Sequence, residues 1–170
     1  MVSVWRAHIR PTGGTGGVNY GASYDLCLRR NVIGIGWRVT ERFSPDSLSL
    51  VEYLTLAKTH YPDDNSLNMA IGRLKSMQQN DLVWIRHPDR RTHLCRIVGP
   101  WDYRDAAEYL WADIVNVRPV EIIEVSAEAV PRVIESRFAG GSTIDPVKNE
   151  GELATITLWR EINASRDASI

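Results

Sequence analysis

The stretch from Asn80 to Tyr103, NDLVWIRHPDRRTHLCRIVGPWDY, decides how this chain folds. Two runs rich in apolar, β-branched and aromatic residues, 82–86 and 92–98, flank the turn sequence Pro-Asp-Arg-Arg. Such runs on either side of a turn-forming tetrapeptide predict a β-hairpin. We therefore place a hairpin at the centre of the predicted fold.

The residues that directly follow this hairpin are aromatic. Gly99-Pro100 ends the second strand, because proline has no N–H to donate to a neighbouring strand. Trp101 and Tyr103 come next, at a point where side chains commonly leave the core. This arrangement predicts a binding pocket at the end of a sheet and does not by itself indicate a catalyst.

Length and composition indicate one soluble domain. The chain has 170 residues, with a hydrophobic share of 44%, a charged share of 24% and a net charge of −1, values that are typical of globular proteins. A chain of this length buries roughly two thirds of its unfolded surface. We expect a single domain over residues 1–163 and a flexible tail over residues 164–170.

The basic residues are mostly arginine, with 17 Arg against 3 Lys. Arginine binds phosphate through two parallel hydrogen bonds and stacks on aromatic rings in ways that lysine cannot. A GC-rich coding sequence explains the same bias equally well. The net charge of −1 gives no global basic field that would indicate a nucleic-acid partner.

Targeting and redox features are few. Cys27 and Cys95 are too few and too far apart in the sequence for a disulfide framework or a zinc site. No apolar run approaches the roughly 20 residues of a membrane span, and residues 1–6 do not resemble a signal peptide. We expect a cytoplasmic protein with two reduced thiols.

The remaining segments predict an α+β fold. The predicted strands are 2–10, 31–37 and 114–125, and the predicted helices are 24–30, 44–61, 65–77, 104–110, 129–138 and 150–162. Residues 12–23 are glycine-rich, TGGTGGVNYGAS, and match neither a Walker loop nor a dinucleotide-binding turn. We interpret them as a mobile loop, with a ligand-binding loop as the alternative.

Two predicted strands contain residues that restrict their position. The run 31–37 is almost entirely apolar, which predicts a central strand covered on both faces. Gly34 and Gly36 leave one of its faces without side chains, so another element should pack close there. Pro119, inside the run 114–125, predicts an edge position or a bulge.

Patterns of catalytic or metal-binding residues are weak. The chain has four histidines, His8, His60, His87 and His93. Their spacing matches no known metal-ligand motif, and no Gly-x-Ser-x-Gly elbow is present. We expect no catalytic residues, no metal and no cofactor, and hence a protein that is not an enzyme.

Tryptophan is the most informative residue type. The chain has six tryptophans, Trp5, Trp37, Trp84, Trp101, Trp111 and Trp159. At least three lie at the ends of predicted elements, where aromatic faces can hold a planar ligand such as an unstacked nucleobase. A single tryptophan is more often a core residue, but the grouping favours a pocket.

Five segments occur in an informative order: VWR at 4–6, NVIGIGW at 31–37, LKSMQQNDLVW at 74–84, CRIVGPW at 95–101 and DIVNVRPV at 113–120. Their order and spacing resemble the PUA-like superfamily, most closely its EVE and YTH-like branch, over about residues 2–125. The third segment is similar to that group's strand entry M-x-x-G-D-hydrophobic. Asn80 replaces the usual glycine of this motif, and two predicted helices are inserted between Trp37 and the hairpin.

The resemblance implies a small, bent PUA-like β-barrel flanked by helices, with an aromatic cage. YTH-like relatives hold N-methylated adenine of RNA in such a cage, and EVE-like relatives, including domains attached to modification-dependent restriction systems, take modified bases flipped from DNA. By position, Trp37, Trp101 and Trp111 resemble the cage walls, and Tyr103 is a neighbouring candidate from the residues alone. Arg38 stands where YTH domains commonly have a small polar residue, so the residue that reads the base edge is unassigned.

We therefore predict a nucleic-acid-binding module that takes a methylated base, flipped from DNA rather than RNA, into an aromatic cage. Base extrusion costs about a few kcal/mol, and stacking in the cage can offset this cost. The arginines predicted to hold the flanking phosphates are Arg29, Arg30, Arg38, Arg86, Arg90, Arg91 and Arg118.

Two other functions are compatible with the same sequence. The first is a small-molecule sensor or enzyme that uses the same pocket, with the glycine-rich loop 12–23 as a lid. The second is an adaptor for a separately encoded restriction-type nuclease or ATPase. Neither alternative requires a membrane.

Overall fold

The computed structural model describes residues 1–9, 20–39 and 48–168. The strands are β1 (Val4–Ala7), β2 (Val32–Ile35), β3 (Leu82–Arg86), β4 (Thr92–Ile97), β5 (Asp102–Tyr103), β6 (Asn116–Val125) and β7 (Ile144–Val147). The helices are α1 (Tyr20–Arg30), α2 (Leu50–His60), α3 (Asn65–Ser76), α4 (Ala107–Ala112), α5 (Arg132–Arg137) and α6 (Glu150–Asp167).

The fold is of the α+β class, with one curled, mixed sheet flanked by helices. The strands follow the order β2-β6-β4-β3-β1-β7, and β5 pairs with β6 beside this path. β1 and β3 are parallel, and the other pairs are antiparallel. The predicted fold class is therefore confirmed at this level.

The predicted hairpin is present as β3 and β4, with Leu82 opposite Arg96 and Arg86 opposite Thr92. Side chains along β3 alternate between two apolar clusters, with Val83 in the larger cluster and Trp84 in the smaller one. This alternation follows from the two-residue period of a strand. The hairpin is thus buried on both faces and forms the centre of the fold.

The turn that leads into β3 requires an unusual backbone conformation at Asn80. Asn80 has a φ of +73°, in the left-handed region that glycine adopts freely and asparagine tolerates best among the other residues. The following Asp81 is buried and accepts hydrogen bonds from the backbone N–H groups of Ser3 (2.9 Å) and Gln78 (2.9 Å) and from the Trp5 indole (3.1 Å). The Asn-Asp pair therefore fixes the start of the hairpin to the first strand.

Strand β6 pairs with different neighbours in its two halves. Its first half lies between β2 and β5, and its second half pairs with β4. Pro119 lies at the change of partner, so the expectation of an edge position is wrong. β4 ends at Ile97 and β5 begins at Asp102, so the pairing of β6 is interrupted between them. The missing N–H of Pro119 falls at this interruption, and no hydrogen bond of the sheet is lost.

Strand β2 is buried along its whole length, as predicted, but it is not central. It pairs with β6 alone and ends the strand order. A β-carbon on Gly34 would lie 2.5 Å from Ile114 Cγ2 and 2.9 Å from the carbonyl oxygen of Asn116. The predicted close approach at this glycine is therefore confirmed, and the chain around β6 makes it.

Several predicted boundaries are wrong. Helix α6 extends to Asp167, beyond the predicted helix end at residue 162. Residues 20–23, assigned to the glycine-rich loop, form the first turn of α1. Residues 12–19 of that loop and the helix start predicted at 44–47 lie outside the described residues. Strand β7 was not predicted.

Strand β7 is attached to β1 by a buried ion pair. Arg6, which is 1% exposed, lies opposite Asp145 and donates to its carboxylate and to the carbonyl oxygens of Gly140 (3.1 Å) and Ser142 (2.7 Å). Arg73 of α3 donates to the other Asp145 oxygen (2.7 Å). Burial alone would raise the pKa of Asp145, but hydrogen bonds from Ser142 and the charges of the two arginines lower it below its ordinary value.

Replacement of Gly141 tests the importance of this ion pair. Gly141 has a φ of +96°, and a β-carbon there would collide with Arg6 Nη2 and Asp145 Oδ2. We expect Gly141→Ala to lower the free energy of unfolding by about 2 kcal/mol or more, measured by urea denaturation. The matched control is Gly140→Ala, because no heavy atom lies within 4 Å of that added carbon. If the two variants are equally stable, the Arg6–Asp145 ion pair does not have the stabilising role assigned to it.

Candidate functional site

Four aromatic residues meet beside the first half of β6, and we call them the aromatic cluster: Trp37, Tyr53, Trp101 and Tyr103. Trp37 follows β2, Trp101 and Tyr103 lie at β5, and Tyr53 projects from α2. The structure thus brings together three of the four predicted pocket residues and adds Tyr53.

Tyr53 lies at the centre of the aromatic cluster. Its ring centroid is 5.7 Å from that of Trp101 and 5.4 Å from that of Tyr103, with interplanar angles of 52° and 37°. Its hydroxyl donates to the carbonyl oxygen of Trp37 (3.1 Å), and burial raises its pKa above the ordinary value. One side chain of α2 therefore contacts the other three members and occupies the interior of the predicted cage.

The buried amide of Asn116 provides the polar contacts of the aromatic cluster. Its Nδ2 donates to the carbonyl oxygen of Gly36 (2.6 Å) and to the hydroxyl of Tyr53 (3.0 Å). Its Oδ1 accepts from Trp101 Nε1 (3.2 Å). Asn116 thus fixes the position of both rings from the β6 side.

Trp37 and Tyr103 are interior residues. Each is 2% exposed. The indole of Trp37 donates to Asp64 Oδ2 (2.8 Å), and Asp64 Oδ1 accepts from the first turn of α3. The hydroxyl of Tyr103 accepts from the backbone N–H of Val39 (3.0 Å). Both side chains support the aromatic cluster, and neither is open to a ligand in this conformation.

Trp111 does not belong to the aromatic cluster. It lies on α4 and is 79% exposed. A side chain so exposed forms no wall of a buried pocket. The position that resembled the third cage wall is therefore occupied by a surface residue, because the helix places it on the solvent side.

Trp101 is only half-buried, and it borders a cavity of about 510 Å³ that we call the Trp101 cavity. The end of α3, the connection between β4 and β5, and the start of α2 form its walls. Lys75 and Gln78 are exposed at its border. The lining residues are Leu48, Ser49, Leu50, Lys75, Met77, Gln78, Pro100, Trp101, Asp102 and Arg118.

Arg118 borders the Trp101 cavity, but its guanidinium is used within the protein. It is 5% exposed, and burial lowers its pKa below the ordinary value. Its Nε donates to the carbonyl oxygen of Gly99 (2.8 Å), and its Nη1 donates to those of Leu74 (3.2 Å) and Met77 (2.9 Å) at the end of α3. Backbone carbonyls therefore already hold this guanidinium, and its predicted role as a phosphate contact stays a prediction.

The other predicted phosphate-binding arginines are scattered. Arg29 and Arg30 end α1 and pair with Glu108 (3.6 and 2.7 Å). Arg38 is half-buried beside Trp37, and its carbonyl oxygen accepts from the Tyr61 hydroxyl (2.8 Å).

Arg86, Arg90 and Arg91 lie at the tip of the hairpin. This tip is separated from the Trp101 end by the five residues of β3, a length of about 16 Å. Arg86 and Arg90 pair with Glu135, and Arg91 pairs with Asp89 (2.8 Å). These arginines therefore do not surround the Trp101 cavity.

The key residues that the sequence interpretation missed had detectable signals. Asn116 is the one polar residue of the run 114–117. Such a residue, when buried, needs hydrogen-bond partners. Tyr53 is spaced four residues before Ala57, and both are buried on one face of α2, which the helical period indicates.

We expect Tyr53→Phe to lower the free energy of unfolding by about 1–3 kcal/mol, because the carbonyl oxygen of Trp37 and the amide of Asn116 each lose a buried partner. Chemical denaturation measures this loss. Tyr61→Phe is the control, since it removes a single hydroxyl contact of a half-buried ring. A Tyr53→Phe protein as stable as the Tyr61→Phe protein would show that these hydrogen bonds contribute little.

A buried histidine on β4 is coupled to α1. His93 is 4% exposed, and its Nδ1 lies 3.2 Å from the hydroxyl of Tyr24. Its Nε2 lies 3.7 Å from a carboxylate oxygen of Glu124. Burial lowers the pKa of His93 below its ordinary value of 6.5, although Glu124 acts in the opposite direction.

This shift predicts a pH dependence of stability. Because the folded protein holds the pKa of His93 below that of the unfolded chain, the unfolded chain binds the proton more readily. We expect the free energy of unfolding to decrease as the pH falls below 6.5. This decrease begins at a higher pH than the range in which carboxylates titrate. His93→Gln should remove this slope between about pH 6.5 and pH 5, measured by urea denaturation at each pH. An unchanged slope would assign the effect to other groups.

Two further absences apply to the described ranges. Within residues 1–9, 20–39 and 48–168, no helix has the length and apolar character needed to cross a membrane. Over the same residues, no three His, Cys, Asp or Glu side chains are grouped as metal ligands.

Comparison with protein-family models, with curated proteins and with solved structures gave no significant match to this chain.

Proposed function

We propose that this chain binds nucleic acid and takes one unstacked, modified base into the Trp101 cavity. The observation that supports this proposal best is the state of Trp101, which is half-buried, fixed from behind and open to a cavity on one side. Aromatic rings in such positions stack on nucleobases with a gain of about 1–3 kcal/mol per base.

The surroundings of Trp101 make it a preorganised platform. Tyr53 packs against its ring, and Asn116 accepts from its indole N–H. A side chain held in this way loses little conformational freedom when a ligand stacks on it. A volume of about 510 Å³ lies within the usual range for small-ligand sites.

The lining combines apolar and polar groups. Met77 and Pro100 offer apolar contact to a ring or a methyl group, and the exposed Lys75 lines the cavity. A lysine at this border would attract a phosphate beside the base. This proposal replaces a cage of three tryptophans with one accessible platform.

The curled sheet and its flanking helices are compatible with a small PUA-like barrel, and we propose this relationship on the motif order given above. The same resemblance favours DNA over RNA and base flipping as the route of entry. It also favours a non-enzymatic module, and an adaptor for a separately encoded nuclease or ATPase stays the alternative.

Trp101→Ala tests the platform. The probes are matched DNA and RNA oligonucleotides that are unmodified or contain N-methyladenine or 5-methylcytosine, and fluorescence polarisation measures their binding. We expect one modified oligonucleotide to bind most tightly and Trp101→Ala to weaken it about tenfold or more. Trp111→Ala is the matched control, because it removes an exposed tryptophan outside the cavity.

Salt dependence distinguishes a nucleic-acid ligand from a neutral small molecule. Phosphate contacts make the affinity fall steeply with salt concentration, and Lys75→Ala should reduce that slope. If none of the oligonucleotides binds, or if both tryptophan variants bind equally, the proposed base site is wrong and a small-molecule ligand becomes the better hypothesis.

A further inference from the structure

A second and larger cavity lies at the hairpin tip, at the other end of β3 from the Trp101 cavity. Its volume is about 620 Å³. The end of β1, the β3–β4 turn and helix α5 form its walls. The lining residues are His8, Ile9, Arg86, His87, Pro88, Arg90, Glu135, Phe138 and Ala139.

From this lining we infer that the hairpin-tip cavity is a phosphate-binding site, in which Glu135 occupies the position of the anion when no ligand is bound. The inference is independent of the proposed function, because it concerns different residues at the opposite end of the hairpin. Its ligand is a phosphate group, either free or at the end of a nucleotide or a strand.

Arg86 is preorganised to bind an oxyanion. Its guanidinium lies over the ring of Phe138, with Cζ 4.3 Å from the ring centroid. Its Nε donates to Thr92 Oγ1 (3.1 Å), which fixes the plane of the group. Nη1 and Nη2 both donate to the carboxylate of Glu135. This is the two-point geometry with which arginine binds carboxylates and phosphates alike.

Arg90 adds a second cation from the turn. Its backbone is in the left-handed region, with a φ of +79°. Its Nη2 donates to Glu135 Oε1 (3.3 Å). Arg90 is 79% exposed and Arg86 is 14% exposed. One inner and one outer arginine therefore converge on a single carboxylate.

The charge balance favours an anion over a cation. Among the lining residues, Glu135 is the one carboxylate against two guanidinium groups. The carboxylate of Asp89 in the neighbouring turn contacts His87 and is paired with Arg91. The arginines lower the pKa of Glu135 through hydrogen bonds and charge, so it is ionised near neutral pH. A phosphate group has more acceptor oxygens than a carboxylate. It can bridge both arginines once Glu135, which is 45% exposed, turns towards solvent.

The imidazoles of His8 and His87 complete the polar lining. His87 is 11% exposed, and its Nδ1 accepts from the backbone N–H of Asp89 (3.1 Å). Its Nε2 lies 3.4 Å from a carboxylate oxygen of Asp25, and its ring packs edge-on against Tyr24, so the ring is held between the turn and α1. A terminal phosphate fits such a partly enclosed site better than an internal phosphodiester, which must continue in both directions.

The decisive variant removes the internal carboxylate. We expect Glu135→Gln to bind inorganic phosphate at least fivefold more tightly than the unmodified chain, because the competing anion is gone. Arg90→Ala should weaken binding at least fivefold. Arg29→Ala should not change it, since Arg29 is also an exposed arginine but pairs with Glu108 instead. The measurement is a titration with sodium phosphate at constant ionic strength, followed by the arginine Nε–Hε signals in nitrogen-15 NMR.

Further ligands identify the source of the phosphate. A trinucleotide with a 5′-phosphate should compete with inorganic phosphate, and the same trinucleotide without it should not. If inorganic phosphate binds and neither trinucleotide competes with it, the ligand is a small phosphorylated molecule. Trp101→Ala should leave phosphate binding intact, so failure of the base site does not affect this result.

Two results would overturn the inference. One is the absence of any phosphate-dependent change in both the unmodified chain and Glu135→Gln. The other is equal binding by Arg90→Ala and the unmodified chain. In either case the Arg86–Glu135 pair only attaches the hairpin to α5, and thermal unfolding of Glu135→Gln would report the loss of that attachment.

Discussion

The amide of Asn116 is the contact on which the arrangement around the Trp101 cavity depends. It joins the end of β2, the hydroxyl of Tyr53 on α2 and the indole of Trp101 through three hydrogen bonds. A buried amide needs all of these partners, because an unsatisfied polar group in the core costs about 1–3 kcal/mol. The first half of β6 must therefore lie between β2 and β5, and this placement determines where the aromatic residues meet.

The hairpin was the most predictable part of the fold, because its two strands and its turn each have a local sequence signal. The positions of β2 and Pro119 were not predictable in the same way. An apolar strand has the same sequence pattern whether strands or helices cover it. A proline is tolerated wherever the neighbouring strand is interrupted. Strand β7 gave little signal because it is four residues long and contains Pro146.

The candidate site was predictable as a set of tryptophans near element ends, and less so as a geometry. Trp37 and Trp111 both follow predicted elements, yet one is 2% exposed and the other 79% exposed. The exposure of Trp111 depends on which face of α4 meets the sheet, and α4 is too short to reveal this by periodicity. Arg118 and Arg86 likewise appear equivalent in sequence, although backbone carbonyls hold one and a carboxylate holds the other.

The guanidinium of Arg118 also has a mechanical consequence. It bonds simultaneously to the carbonyls that end α3 and to Gly99 in the connection that leads to Trp101. The helix end and the connection are therefore cross-linked by one side chain. The backbone amides on the two sides should exchange with solvent as a single cooperative unit. Two of the three walls of the Trp101 cavity then move together, because one side chain joins them.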